Sequence, residues 1–201
     1  MKLYHCKDAR SLRPLWALEE MGLDYELINM DFPPRFTYPG YLDINPMGTV
    51  PAFVDGDITM TESAGICQYL VEKYGPTDIG MNINDPEYGE YLNWLHRSDA
   101  TLTFPQTIVL RYTRLEPEER RLPQAVADYS QWFLSRLKAV ELALEGKDYL
   151  CGDRFTIADI AVTYALYLGR SLGLDERYKP NCKRYLEQMT QRPAFIKAQA
   201  R

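Results

Sequence analysis

Three short segments of this chain combine polar, chemistry-capable residues with the start of a structural element. The first is Thr61-Glu62-Ser63, which directly precedes an apolar run of helical period. A helix N-terminus presents unpaired N–H groups and a partial positive charge, which suits a ligand carboxylate. Ser63 adds a hydroxyl donor and Glu62 can accept from an ammonium, so together they fit an amino-acid head group. The same residues also read as a plain cap, with Thr61 or Ser63 satisfying the helix. Ser11, after Asp8-Ala9-Arg10, poses the same choice: it either stabilises a bound thiolate or only caps a helix. With Ser11 as the cap, Pro14 falls in the first turn, where its missing N–H is harmless. The third segment is Asn45-Pro46-Met47-Gly48-Thr49-Val50-Pro51, which puts a proline at the head of a β-run. A cis bond there turns the backbone of Val50 outward, where a peptide-like ligand can pair with a strand edge. An ordinary loop proline before an edge strand fits the same spacing.

Other candidates are sparser. His96 and Asp99 flank Arg97 on a helical stretch, and Tyr91, Trp94, Phe104, Arg111 and Tyr112 either line a pocket or pack a core. The four cysteines form no C-x-x-C pair and have no histidine cluster, so neither a metal site nor a dithiol is expected. With two histidines and no nucleophile elbow, the chemistry is expected to come from something the protein binds. A net charge of −5 argues against nucleic acid as the main partner. No apolar run is long enough for a membrane helix, the first residues lack a signal-peptide pattern, and a cytoplasmic location with free thiols is expected.

These segments need a scaffold, and the chain changes character near Gly75. Before it, β-like runs at Lys2–His5 and Tyr25–Asn29 flank a helical stretch from about Ser11 to Met21. After a loop-rich middle, Val50–Val54 and Ile58–Met60 are parted by Asp55-Gly56-Asp57, a strong hairpin signal. A helix from Glu62 to Tyr74 ends at Gly75-Pro76. Residues 77–86 are polar and rich in breakers, which marks a linker. The remainder, 87–201, is helical throughout, and Ile157, Ile160, Ala161, Tyr164, Ala165 and Leu168 form its cleanest stripe. Phe155-Thr156-Ile157-Ala158-Asp159-Ile160 reads as a reciprocal cap with Phe155 stapled on Ile160. The expectation is an α/β domain at 1–76, built as βαβ then ββα, followed by an all-α bundle at 87–201.

In this order the segments resemble a glutathione S-transferase of the soluble bacterial type. The resemblance runs over essentially the whole chain and rests on ARSLRPLWALEEMGLDYE, INPMGTVPAF, TESAGICQYLVEKY and LCGDRFTIADIAVTYAL. It implies a thioredoxin-like first domain, a helical second domain and a homodimer. Glutathione is then the co-substrate, with no metal, and the other substrate is a small, mostly hydrophobic electrophile. Carried over by position, Val50 before Pro51 holds the cysteinyl backbone, and Glu62 and Ser63 hold the γ-glutamyl head group. Thr49 stands where relatives place a longer polar residue near the glycyl end, and Asp99 lies where some classes reach across the dimer. The catalytic loop departs from the family pattern: Ala9-Arg10-Ser11 replaces S-R-S, and Arg10 stands where one class has cysteine. That leaves Ser11 for the thiolate, with Arg10 as an electrostatic helper, while His96, Phe104, Arg111 and Tyr112 are the electrophile-pocket candidates. Isomerase, dehalogenase, ether-cleaving or peroxidase and disulfide-reductase chemistry on the same scaffold, and a non-catalytic binding module, are the alternatives.

Overall fold

The computed structural model describes residues 1–201, which form two compact units, Met1–Gly80 with Thr190–Arg201, and Met81–Met189. In the first unit, β1 (Lys2–His5), α1 (Leu12–Met21) and β2 (Glu26–Asn29) make a βαβ turn with the two strands parallel. Two one-turn helices, α2 (Pro34–Thr37) and α3 (Tyr41–Ile44), occupy the middle that reads as loop. Then come β3 (Ala52–Asp55), β4 (Ile58–Met60) and α4 (Ser63–Lys73). The sheet order is β2-β1-β3-β4, with β3 antiparallel to both of its neighbours.

The hairpin closes as expected, Asp55 facing Ile58 across a turn in which Gly56 takes φ +60. The strand before it starts later than its apolar run, because pairing begins with Ala52 opposite Tyr4. Pro51 has no N–H to donate to a ladder, so the strand cannot extend through it. Helix α1 buries Leu12, Leu15, Trp16 and Leu18 and stops at Gly22, whose left-handed φ of 62 closes the C-terminus. Helix α4 buries Ile66, Cys67 and Leu70, while Tyr69, Lys73 and Tyr74 all bond the Asp55 carboxylate in the hairpin. Those partners, Tyr74 foremost, hold the Asp55 carboxyl down at about 2.

The second unit is helical. Helix α5 (Tyr88–Arg97) runs through a π-helical segment, Ser98–Thr103, into α6 (Phe104–Leu110) and a second π-helical segment, Arg111–Leu115. Helices α7 (Pro123–Ala143), α8 (Ile157–Ser171) and α9 (Pro180–Thr190) follow, with α8 buried along almost its whole length. Its start is the expected reciprocal cap: Asp159 Oδ2 accepts from the Thr156 N–H at 2.8 Å, and Thr156 Oγ1 accepts from Ala158 N. Asp159 Oδ1 goes further, accepting from Leu150 N (3.0 Å) and Tyr185 Oη (2.7 Å).

The last helix, α10 (Pro193–Gln199), departs from the boundary read in the sequence, which placed everything from 87 to 201 in the helical half. Thr190–Arg201 belongs to the first unit instead. Phe195 meets Trp16 edge-on at 4.9 Å, and Arg192 makes a two-pronged ion pair with Glu20 at 2.7 and 3.0 Å. Apolar spacing reports that a helix has a face to bury, not which layer covers it.

Candidate functional site

Helices α1 and α4 meet at their first turns. Arg13 Nη1 donates to Ser63 Oγ at 2.9 Å, and both residues are buried. Neither helix has a side-chain cap. Glu62 holds the N-cap position of α4 in an extended conformation and is exposed, so the plain-cap reading of Thr61 or Ser63 gives way to a serine held from below by arginine. The N–H groups of the α4 first turn are therefore left to a ligand or solvent.

Beside them lies Val50, outside the β1–β3 ladder and joined to Pro51 by a cis peptide bond. It packs in one cluster with Tyr4, Cys6, Met30, Tyr41 and Ala52. The residue before it is pinned twice: the Thr49 carbonyl accepts from Tyr41 Oη at 2.5 Å and from Asn45 Nδ2 at 2.7 Å. Asn45 Oδ1 in turn accepts from Met47 N, and Gly48 turns the chain at φ +63. A Cβ on Gly48 would lie 2.9 Å from Arg35 Cβ, so only glycine fits this turn. The backbone of Val50 is thus presented from a rigid loop, whereas the Thr49 side chain is exposed.

Ser11 is fully buried at the start of α1. Its Oγ lies 2.9 Å from His5 Nδ1 and accepts from Cys6 N at 3.3 Å. Burial drives the His5 imidazole down to about 4, against the opposing pull of Asp8 and Ser11, so the ring is neutral near pH 7. Burial also pushes the Cys6 thiol up to about 11, which keeps it protonated. Arg10 is half-buried on the loop between them. Ser11 reaches Cys6, Cys6 clusters with Val50, and Arg13 reaches Ser63. All three segments singled out in the sequence therefore converge at one end of the sheet.

Family models agree with this layout. The chain matches the glutathione S-transferase N-terminal domain over residues 1–72 and the glutathione S-transferase C-terminal domain over residues 92–193. The chain belongs to the glutathione S-transferase family. Glutathione S-transferase 3 of Schizosaccharomyces pombe is 29% identical to it, covering 96% of this chain and 84% of its own length. Glutathione S-transferase GstB of Escherichia coli is 31% identical over 91% of this chain and 89% of its own. A sphingomonad glutathione S-transferase solved in complex with glutathione superposes with a TM-score of 0.87 at 27% identity, covering 100% of this chain and 98% of that one. The enzyme is accordingly a glutathione transferase, with a thioredoxin-like unit followed by a helical one.

The transferase's remaining candidates all lie on the second unit. Asp99 sits half-buried in the first π-helical segment, and His96 is exposed near the end of α5. Phe104, 49% exposed, faces Tyr129, which stacks on Trp132. Arg111 lies over the Tyr112 ring and is ion-paired with Glu116 at 2.7 Å. Tyr91 and Trp94, by contrast, are core residues. Sequence reasoning passed over Arg13, Asn45 and His5. For Arg13 a signal existed: an arginine inside the apolar stretch LRPLWAL needs a buried partner.

Proposed function

We propose that this transferase binds glutathione along the first unit and adds its thiolate to a small, mostly hydrophobic electrophile. In this reading the Val50 backbone pairs with the cysteinyl residue, as a strand edge takes an added peptide. Pro51 shapes that edge, Thr49 borders the glycyl end, and Glu62 and Ser63 take the ammonium and carboxylate of the γ-glutamyl group. The observation that carries it is the contact between the first turns of α1 and α4, neither capped by a side chain, next to a Val50 that the sheet does not use.

Ser11 and Arg10 are the proposed stabilisers of the thiolate. A free thiol of pKa about 8.5 is only about 3% ionised at pH 7, and lowering it to about 6.5 requires about 2.7 kcal/mol. One hydrogen bond to a charged group contributes about 1.5–3 kcal/mol, and a helix N-terminus about 0.3–1 kcal/mol. In the unliganded protein the Ser11 hydroxyl has two acceptors in reach, the Cys6 carbonyl at 3.3 Å and, when His5 carries its proton on Nε2, His5 Nδ1 at 2.9 Å. It serves the thiolate by turning from them, which is easier when His5 is protonated on Nδ1 and donates to Oγ. The ionised sulfur then attacks the electrophilic carbon, forming the S–C bond as the leaving group departs with its electron pair.

We further assign the second substrate to side chains of the helical unit, Phe104, Tyr112, His96 and Arg111, and read the enzyme as a cytoplasmic homodimer serving detoxification, with Asp99 directed toward the partner's glutathione. Titration calorimetry with millimolar glutathione tests the first part: one saturable site per chain is expected for the wild type. Ser11→Ala should leave that affinity within about threefold while raising the pH at which a chloronitrobenzene substrate is turned over. If Ser11→Ala leaves the pH profile unmoved, thiolate stabilisation belongs elsewhere.

A further inference from the structure

We infer that Arg13 is a positioning residue for glutathione recognition, acting through Ser63. This rests on the proposed placement of the γ-glutamyl carboxylate at Ser63. A guanidinium has five donors and no acceptor, so in the 2.9 Å contact between Arg13 Nη1 and Ser63 Oγ the arginine must donate and the serine must accept. A serine hydroxyl that accepts from below keeps its own hydrogen for an acceptor elsewhere. Ser63 is the first residue of α4, and the α4 N–H groups beside it have no side-chain cap. The hydroxyl is thereby committed as a donor at the end of the helix where a carboxylate is favoured.

Without Arg13 the same hydroxyl is free to rotate and to satisfy a backbone carbonyl. Burial makes the arrangement rigid: Arg13 has no exposed surface and Ser63 only 2%. Ordering the hydroxyl before the ligand arrives removes an entropic cost of binding, so the benefit appears in affinity and is specific to the carboxylate. Arg13 itself need not touch glutathione.

The test is a double-mutant cycle read by calorimetry with two ligands, glutathione and 4-aminobutyryl-cysteinylglycine, which lacks the glutamyl α-carboxylate. Arg13→Met is expected to weaken glutathione roughly tenfold, about the worth of one hydrogen bond, and to leave the analogue within about twofold. In a Ser63→Ala background the same change should cost glutathione nothing further. Equal weakening of both ligands, or losses that multiply in the double variant, would assign Arg13 to packing alone and overturn the inference. If Ser63→Ala weakens glutathione but Arg13→Met does not, the inference fails while the Ser63 reading stands. If Ser63→Ala changes neither ligand, the head-group reading fails and takes this inference with it. Circular dichroism checks folding, and should Arg13→Met not fold, Arg13→Leu, which also removes the donor, carries the same two-ligand comparison.

Discussion

Ser11 Oγ and His5 Nδ1 lie 2.9 Å apart, both withdrawn from solvent, where the end of β1 meets the start of α1. The pair ties the loop that carries Arg10 to the sheet, and it makes the fold sensitive to acid. His5 titrates near 4 in the folded protein, below its ordinary 6.5, because burial disfavours the imidazolium. Between these values the unfolded chain binds more protons than the native one, so stability is complete above about pH 6.5 and is lost as pH falls toward 4. The full difference is on the order of 3 kcal/mol. Burial raises the Asp159 carboxyl to about 6, which pulls the overall dependence the other way over the same range. The His5 contribution is therefore read as a difference: the stability gap between wild type and His5→Gln in urea should change by about that amount between pH 7 and pH 4.5. A gap that stays the same at both pH values would place the acid sensitivity in other groups.

Asp159 accepts from Leu150 N, Thr156 N and Tyr185 Oη with no exposed surface. Asp159→Ala removes the acceptor for several buried donors at once, each costing about 1–3 kcal/mol when left unmade. A loss of about 3–5 kcal/mol in equilibrium unfolding is expected, with Tyr185→Phe losing only about 1 kcal/mol. Comparable losses for the two variants would mean that Tyr185, not the helix start, dominates the network.

All four cysteines are free and buried, and burial raises the thiols of Cys6 to about 11 and of Cys151 and Cys182 to about 12. A chromogenic disulfide reagent at pH 7.5 should leave the native protein unlabelled over minutes and modify all four thiols in urea. Rapid labelling of Cys6, or a glutathione adduct on it seen by mass spectrometry, would instead favour disulfide chemistry on the protein.

The C-terminal segment should stabilise the unit that carries the proposed glutathione site. Phe195 is 4% exposed against Trp16, and Phe195→Ala is expected to cost about 3–4 kcal/mol and to red-shift tryptophan emission. Arg192→Ala, which breaks a pair with Glu20 that is only partly buried, should cost about 1 kcal/mol. A Phe195→Ala loss below that of Arg192→Ala would show that the ion pair, not the ring, anchors α10.

Much of this was present in local chemistry. Alternating β-like and helical runs give way near Gly75 to helical spacing alone, and the βαβ-ββα order and the helical remainder follow because each element's apolar spacing is its own property. The Asp55–Gly56 turn and the Thr156–Asp159 cap are likewise settled within a few residues. Where long-range contacts decide, the sequence can show that a residue needs a partner, as for Arg13 in its apolar stretch, but not which partner it takes. Whether Ser63 capped its own helix or answered to another element depended on Arg13, fifty positions earlier. For Ser11 the sequence leaves a cap and a thiolate contact equally open, and packing bonds it to His5 at the end of β1. The final helix had an apolar face that suited either unit, and the ring and ion pairs on α1 claimed it. Periodicity and turn chemistry are short-range and survive in one dimension, whereas the partner of a buried polar group is chosen only when distant elements pack and every donor must find an acceptor.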